Sequence, residues 1–299
     1  MAVTTGGVSA GAAVAVVGVG RMGAAMAARL AGAGHQVVLF NRTRQRAEQA
    51  AAESGGRVVD TARAAAAAAD TVLVSLADDA AVTAVYRGDD GLAAGLRPGA
   101  VVLEMSTVAP QTVRDLAPLV SGAGATLLDA PVSGSVPVVL RGELTVLVGG
   151  DPAALERVRP ALSSFARKVF HLGPPGAGAT MKLAVNSVVH ALNQALAEAL
   201  VLAEKAGVDR AAAYEVFVNS AAGAPFVHYK QEAFVRPETA PVAFALDLVA
   251  KDLDLIEALA TEVGARMDLN AAGRRLVSEA LAAGLGDRDL SALADLLRR

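Results

Sequence analysis

A lysine and an asparagine one helical turn apart carry the chemistry most legible in this chain. Lys182 is the only formally charged residue between Lys168 and Glu198, and it lies within Gly176-Ala-Gly-Ala-Thr-Met-Lys182-Leu-Ala-Val-Asn186. A lysine in apolar surroundings loses hydration, which weakens its charged form and eases proton exchange near neutrality. Asn186 projects from the same helix face and can donate or accept a hydrogen bond beside it. A lysine near a helix start can equally snorkel to water with its stem over apolar surface, so this segment alone leaves both roles open.

A second constellation stands near the start of the chain. Ala13-Val-Ala-Val-Val-Gly18-Val-Gly20-Arg21-Met22-Gly23 reads as a strand followed at once by G-x-G-x-x-G and a small-residue helix. The first glycine makes a tight turn and the second lets the backbone approach a pyrophosphate. The third permits close helix–strand contact, and the helix N-terminus adds partial positive charge. The next strand ends Leu39-Phe40-Asn41-Arg42-Thr43, with no acid to hold a ribose 2′-hydroxyl. Arg42 can instead grip a 2′-phosphate, with Asn41 and Thr43 adding hydrogen bonds and Arg46 a second charge; a plain exposed basic turn is the alternative. One charge-assisted contact is worth ~1.5–3 kcal/mol, so the expected cofactor is NADP(H), favoured by roughly tenfold.

These groups need elements to hold them. Short β-branched runs alternate with helical patterns as far as residue 172: Ala13–Val17, Gln36–Phe40, Thr71–Leu76, Val101–Met105, Thr126–Asp129, Thr145–Val148 and Lys168–His171. That alternation predicts βαβ crossovers and a mostly parallel sheet. After the breaker cluster Leu172-Gly-Pro-Pro-Gly-Ala-Gly178 nearly everything reads as helix, opening with a long one from about Gly178 to Lys205. The expected architecture is α/β: a Rossmann-type doubly wound sheet, then an all-α domain, joined by a long interdomain helix. Residues 1–11 read as a flexible tail, 12–175 as the nucleotide-binding domain and 176–299 as a helical substrate and oligomerisation domain. Lys182 then falls at the seam, where small-molecule sites tend to form.

Composition removes several classes of function. The chain has no cysteine, which excludes disulfides, thiol catalysis and Cys-based zinc sites, and its four histidines lack metal-ligand spacing. The expectation is therefore no metal. A net charge of −3 gives no reason to expect nucleic acid. Residues 1–20 carry no charge but lack the basic start of a signal peptide, and no other run is long enough to span a bilayer. A cytoplasmic location and no membrane partner follow as expectations. The apolar helices suggest a homodimer or homotetramer through the helical domain.

Four motifs in this order resemble the β-hydroxyacid dehydrogenase family, which includes 3-hydroxyisobutyrate dehydrogenase, tartronate semialdehyde reductase and glyoxylate/succinic semialdehyde reductase. They are Gly18-Val-Gly-Arg-Met-Gly23, Asp129-Ala-Pro-Val-Ser133-Gly134-Ser135, Gly176 to Asn186, and Lys251-Asp252-Leu. The resemblance implies that Lys182 is the general acid/base and that Asn186 positions the substrate oxygen. It implies that Ser133 and Gly134 cradle a carboxylate and that Thr107, in Glu104-Met-Ser106-Thr107, lines nicotinamide and substrate. Leu76 and Lys251 would touch the cofactor, with Asp252 at the substrate pocket; Phe244 would close it. The implied substrate is a small carboxylate-bearing semialdehyde or oxo acid and its hydroxy acid.

Glu104 stands where the family more usually has aspartate, and Val136-Pro137-Val138-Val139-Leu140 is more apolar than its counterpart. If that loop lines the pocket, it suits an imine reductase acting on an apolar cyclic imine, although Lys182 argues against that reaction. A third reading is an NADP-binding scaffold without catalysis. His190, further along the Lys182 helix, reads as a hydrogen-bonded core histidine.

Overall fold

The computed structural model describes residues 11–299, so the tail expected over residues 1–11 lies outside the described residues apart from Gly11. The described chain divides into two compact units, one ending at Lys182 and the other beginning at Leu183. The helix Ala177–Lys205 contributes its first turns to one unit and the remainder to the other.

The first unit is built on nine strands: β1 (Ala13–Val17), β2 (Gln36–Phe40), β3 (Arg57–Val58), β4 (Thr71–Val74), β5 (Val101–Glu104), β6 (Thr126–Asp129), β7 (Val132–Ser133), β8 (Leu144–Gly149) and β9 (Ala166–Gly173). Their order is β3-β2-β1-β4-β5-β6-β8-β7, with β9 also on β8. From β3 to β6 every pairing is parallel, whereas β8 runs antiparallel to β6 and β7. β1 pairs with β2 on one side and β4 on the other, so the connections reverse there. Beyond the carboxyl ends of such strands lies the crevice in which open α/β sheets take ligands.

The strand sequences explain why this sheet is central. β1, β4 and β5 read AVAVV, TVLV and VVLE, apolar at almost every position, as strands covered on both faces must be. Side chains alternate between faces. Val14 and Val16 join Leu39, Leu73 and Leu103 in one core, while Ala15 and Val17 join Val38, Val72 and Val102 in the other. The sequence pattern missed β3 and β7, each two residues long and too short to show periodicity.

The segment Val136–Leu140 departs from its expected role. It is a short helix with Val139 fully buried and Val136 and Val138 packed against the first core, leaving Pro137 and Leu140 exposed. Its apolar character is accounted for by core packing.

At the carboxyl end of β6, Asp129 makes the junction on which the next helix depends. Its Oδ1 accepts from the Gly176 amide at 2.9 Å and its Oδ2 from the Ala179 amide at 2.8 Å. Both donors belong to the opening of the long helix, whose first amides have no partner within the helix. The approach is close: a Cβ on Gly178 would stand 2.3 Å from the Leu147 carbonyl oxygen. Burial pushes the Asp129 carboxyl above its ordinary range, and the backbone amides partly oppose this.

The second unit is helical. The remainder of the long helix packs with helices Arg210–Asn219, Pro225–Val235, Leu246–Val263 and Asp268–Ala282 around Leu200, Tyr214, Phe226, Phe234, Leu253 and Ile256. A buried ion pair, Lys230–Asp289 at 2.7 Å, ties Pro225–Val235 to the C-terminal segment. Asp289 also accepts from the Ala243 and Phe244 amides, and Leu290 N–H donates to the Phe244 carbonyl at 2.9 Å. Among the described residues no helix is long and apolar enough to cross a membrane.

Replacing Asp129 by Ala strands two buried amides. Each cap hydrogen bond is worth about 1 kcal/mol and an unmet buried donor costs about 1–3 kcal/mol, so a loss of at least 2 kcal/mol is expected. Urea unfolding of Asp129→Ala beside Asp129→Asn measures it, with the Asn variant falling between Ala and wild type.

Candidate active site

The glycine turn closes β1 onto the helix Arg21–Gly32, and its three glycines are required for three different reasons. Gly18 has φ +90°, and a Cβ there would meet the Ser75 carbonyl oxygen at 2.3 Å. A Cβ on Gly23 would lie 2.0 Å from the Gly18 carbonyl oxygen, so no larger residue fits between turn and helix. Gly20, the N-cap, is exposed and has nothing within 4 Å of an added Cβ. Its lack of a side chain therefore answers no neighbour in the chain; it leaves backbone open at a helix N-terminus without an acid in its first turn. That cradle fits a dinucleotide pyrophosphate. Arg21 is exposed and Met22 packs partly against the sheet core.

The neighbouring strand end is fastened to this turn. Asn41 Oδ1 accepts from the Val19 amide at 3.2 Å, and Asn41 Nδ2 donates to the Thr43 carbonyl at 2.9 Å. The Asn41 side chain is thus engaged in holding the turn rather than waiting for a phosphate. Arg44 is committed to Glu48 and Asp60, whereas Arg42, Thr43 and Arg46 are exposed around it.

The loops after β4 and β5 are joined by a carboxyl that the motif reading noted only as an oddity. Glu104 is fully buried; its Oε2 accepts from the Tyr86 hydroxyl at 3.0 Å and its Oε1 from the Ser106 amide at 3.0 Å. Ser106 Oγ in turn accepts from the Leu76 amide at 2.8 Å. Leu76 and Thr107, both expected at the cofactor, are therefore flanked by one network, and both are half-buried. Burial pushes the Glu104 carboxyl up to about 7, against the pull of its Ser106 and Tyr86 hydrogen bonds. Burial and the neighbouring carboxyl likewise push the Tyr86 phenol up. The one signal in sequence was an acid ending an otherwise apolar strand.

Ser133 ends β7 half-buried and Gly134 follows it exposed, just before the helix Val136–Leu140. Lys182, half-buried, closes this first unit on the long helix whose start Asp129 fixes.

In the second unit, Asn186, Asp252, His190, Lys251 and Phe244 form one cluster. Asp252 is fully buried, and its Oδ2 accepts from Asn186 Nδ2 at 2.6 Å. Lys251 Nζ lies 3.0 Å from the other carboxylate oxygen, and His190 Nε2 lies 3.5 Å from Oδ2. Burial pushes the Asp252 carboxyl up, but His190 and Lys251 more than offset it and hold the group below its ordinary range. A carboxylate on Nδ2 fixes the amide rotamer, so Asn186 turns its Oδ1 the other way. Asp252 thus meets Asn186 rather than an open surface, and the Phe244 ring stands 6.1 Å from that of His190. His190 differs from its expected state: it is buried, yet among the described residues neither ring nitrogen has a hydrogen-bond partner. No group of three potential metal-ligating His, Asp or Glu occurs among the described residues.

Comparison with known proteins covers both units. Residues 13–173 match the family model for the NAD binding domain of 6-phosphogluconate dehydrogenase. Residues 176–297 match that for the NAD-binding of NADP-dependent 3-hydroxyisobutyrate dehydrogenase. The chain is 37% identical to 3-hydroxyisobutyrate dehydrogenase of Pseudomonas aeruginosa, over 89% of this chain and 91% of that one. It is 33% identical to NAD-dependent L-serine dehydrogenase of the same organism, over 95% and 97%. The crystal structure of 3-hydroxyisobutyrate dehydrogenase from Salmonella typhimurium superposes with a TM-score of 0.88 at 28% identity, covering 95% of this chain and 99% of that one.

The Glu104 network carries a pH signature. Between about pH 4.5 and 7 the unfolded carboxyl ionises while the folded one, with its value near 7, keeps its proton. Stability is therefore full below that window and falls as pH rises through it, by a few kcal/mol at roughly 1.4 kcal/mol per unit. Glu104→Gln should flatten this fall; urea midpoints of both proteins at pH 4.5 and 7.5 provide the measurement, and parallel losses would show that the acid titrates normally.

Proposed function

The chain belongs to the β-hydroxyacid dehydrogenase family and is an oxidoreductase using a nicotinamide cofactor, and from that premise we propose that it is an NADPH-linked, metal-independent reductase of small carboxylate-bearing semialdehydes or oxo acids, interconverting them with their hydroxy acids. The observation that carries the reading is the Asn186 amide, held by buried Asp252 at 2.6 Å one helical turn beyond Lys182. A polar amide immobilised beside a half-buried lysine suits a site that must align one oxygen and move one proton.

In the reducing direction the Lys182 ammonium donates its proton to the carbonyl oxygen as that oxygen gains negative charge. The glycine turn would hold the cofactor by its pyrophosphate, and the cofactor's reduced nicotinamide would supply the hydride. Lys182, left neutral, recovers a proton from water, which its partial exposure permits. In the oxidising direction it removes the hydroxyl proton instead. Asn186 Oδ1, turned away from Asp252, accepts a hydrogen bond from the substrate hydroxyl or from the lysine itself. Ser133 and Gly134 receive the carboxylate through a hydroxyl and turn amides. Thr107 and Phe244 line the pocket, with Asp252 and Lys251 acting behind Asn186.

Preference for NADPH rests on exposed Arg42 and Arg46 and on the absence of an acid at the end of β2. An imine reductase loses the feature that favoured it, since Val136–Leu140 turns its valines into the core. A cytoplasmic homodimer or homotetramer is part of the same proposal. Val188 and Leu202, 66% and 72% exposed on the long helix, are apolar surface suited to a second copy.

NADPH oxidation with glyoxylate, succinic semialdehyde, tartronate semialdehyde, methylmalonate semialdehyde and a cyclic imine tests the chemistry. Lys182→Ala is expected to lower kcat on the preferred oxo acid by about 10²–10⁴ while NADPH binding is retained; turnover of the imine alone, or turnover indifferent to Lys182, would sink the reading. Arg42→Ala should weaken NADPH by about tenfold and leave NADH nearly unchanged. Equal losses for the two cofactors, measured by titrating protein with each, would remove the 2′-phosphate assignment.

A further inference from the structure

His190 is expensive as it stands. It is 7% exposed on the inner side of the long helix, where Leu183, Leu196, Ala197 and Leu200 are buried apolar residues. Both of its ring nitrogens are buried without a hydrogen bond. A leucine would fill such a place without stranding two polar atoms, so the imidazole needs a reason to be there. Its surroundings supply one. The ring is flanked by Phe244 at 6.1 Å between centroids, and its Nε2 stands 3.5 Å from Asp252 Oδ2. That same oxygen takes the 2.6 Å hydrogen bond from Asn186 Nδ2, while Lys251 sits at 3.0 Å on the opposite oxygen. A carboxylate held by Lys251 on one oxygen and by the Asn186 amide on the other can still tilt together with that amide unless something else on the second oxygen fixes its direction. A further donor at that oxygen confines it.

We propose that His190 is a positioning residue for the reaction: a small closure of its ring onto Asp252 fixes the carboxylate that sets the Asn186 amide, and Phe244 limits where that ring can go. The inference rests on the reductase reading above. His190 touches neither cofactor nor substrate in this account; it acts through Asp252 and Asn186. Its contact is 3.5 Å, longer than a formed hydrogen bond of about 2.7–3.2 Å, so the pair has room to tighten by less than 1 Å. Asn193 Oδ1 and Asn270 Oδ1 are buried without partners too, and both residues line the same small cavity as His190. Polar side chains from the long helix and from the Asp268–Ala282 helix thus meet at this cavity beside His190.

The test uses the full-length protein and the oxo acid that wild type reduces fastest, with His190→Leu, His190→Gln, Asp252→Asn and the double variant His190→Leu/Asp252→Asn. His190→Leu is expected to melt at or above the wild-type temperature, because an apolar side chain replaces two unmet nitrogens, yet to lose about 10- to 100-fold in kcat with the KM for NADPH unchanged. His190→Gln, which keeps an N–H for Asp252, should recover most of that loss. In the Asp252→Asn background His190→Leu should add less than about twofold, since residues acting through one contact are not additive. In the cofactor-free protein, the ¹⁵N shifts of the His190 ring, assigned among the four histidines by comparison with His190→Gln, should move on Asp252→Asn.

A His190→Leu protein within twofold of wild-type kcat would overturn the proposal. So would fully multiplicative losses in the double variant, or ring shifts indifferent to Asp252. If wild type reduces no oxo acid, or Lys182→Ala retains full activity, the reductase reading fails first, and the ¹⁵N comparison still decides whether His190 engages Asp252.

Discussion

The Asp129 carboxylate is the constraint on which the remaining arrangement depends. It ends a buried strand, and both of its oxygens are spent on amides at the opening of the long helix. A helix start offers unpaired N–H groups and partial positive charge, and a buried carboxylate needs hydrogen bonds to be tolerated. Each therefore satisfies the other. One acid thereby fixes two things at once: where β6 gives way to the segment that leads into β7, and where the helix carrying Lys182 begins. Gly178 matters for the same reason, because only a residue without Cβ lets the helix come this close to the Leu147 carbonyl.

Elsewhere the molecule accepts instability in order to place polar groups. Glu104 is buried in a sheet of valines and leucines, where its burial raises its proton affinity to near neutrality. In exchange it holds Ser106, and through Ser106 the Leu76 amide, so the loops after β4 and β5 have a common reference point. Asp252 repeats the device among helices, with Lys251 and His190 beside its carboxylate and Asn186 receiving the orientation. In both cases a buried acid has its partners supplied by neighbouring loops or helices, and a side chain or amide expected at the reaction is what it fixes. Lys230–Asp289 extends the pattern, since Asp289 and Leu290 between them bond the amide and carbonyl of Phe244.

The cofactor turn works by the opposite means, through absent atoms. Gly18 and Gly23 are closed off by neighbouring carbonyls, whereas Gly20 faces open space. The first two omissions serve the fold, and the third leaves the backbone at the helix start open. This separation distinguishes a dinucleotide turn from an ordinary glycine-rich bend, which has no reason to leave its central glycine unopposed.

The sequence by itself determined the order of elements, the glycine turn, the change from α/β to helix near residue 176, and the family. These are carried by local signals: alternation and apolar runs for strands, breakers for boundaries, and motifs whose residues are close in the chain. It could not find β3 and β7, because two residues display no period, nor could it tell that the valines of Val136–Leu140 face the core. What only the tertiary structure decided is which polar groups meet. Tyr86 and Glu104 are 18 residues apart, Asp129 and Ala179 are 50, and Asn186 and Asp252 are 66. Nothing local marks such pairs, since a carboxyl at the end of a strand or within a helix looks the same in sequence whether solvated or buried. Folding brings them together and removes the water, and only then does each acid have to be satisfied by the particular donors that give it a role.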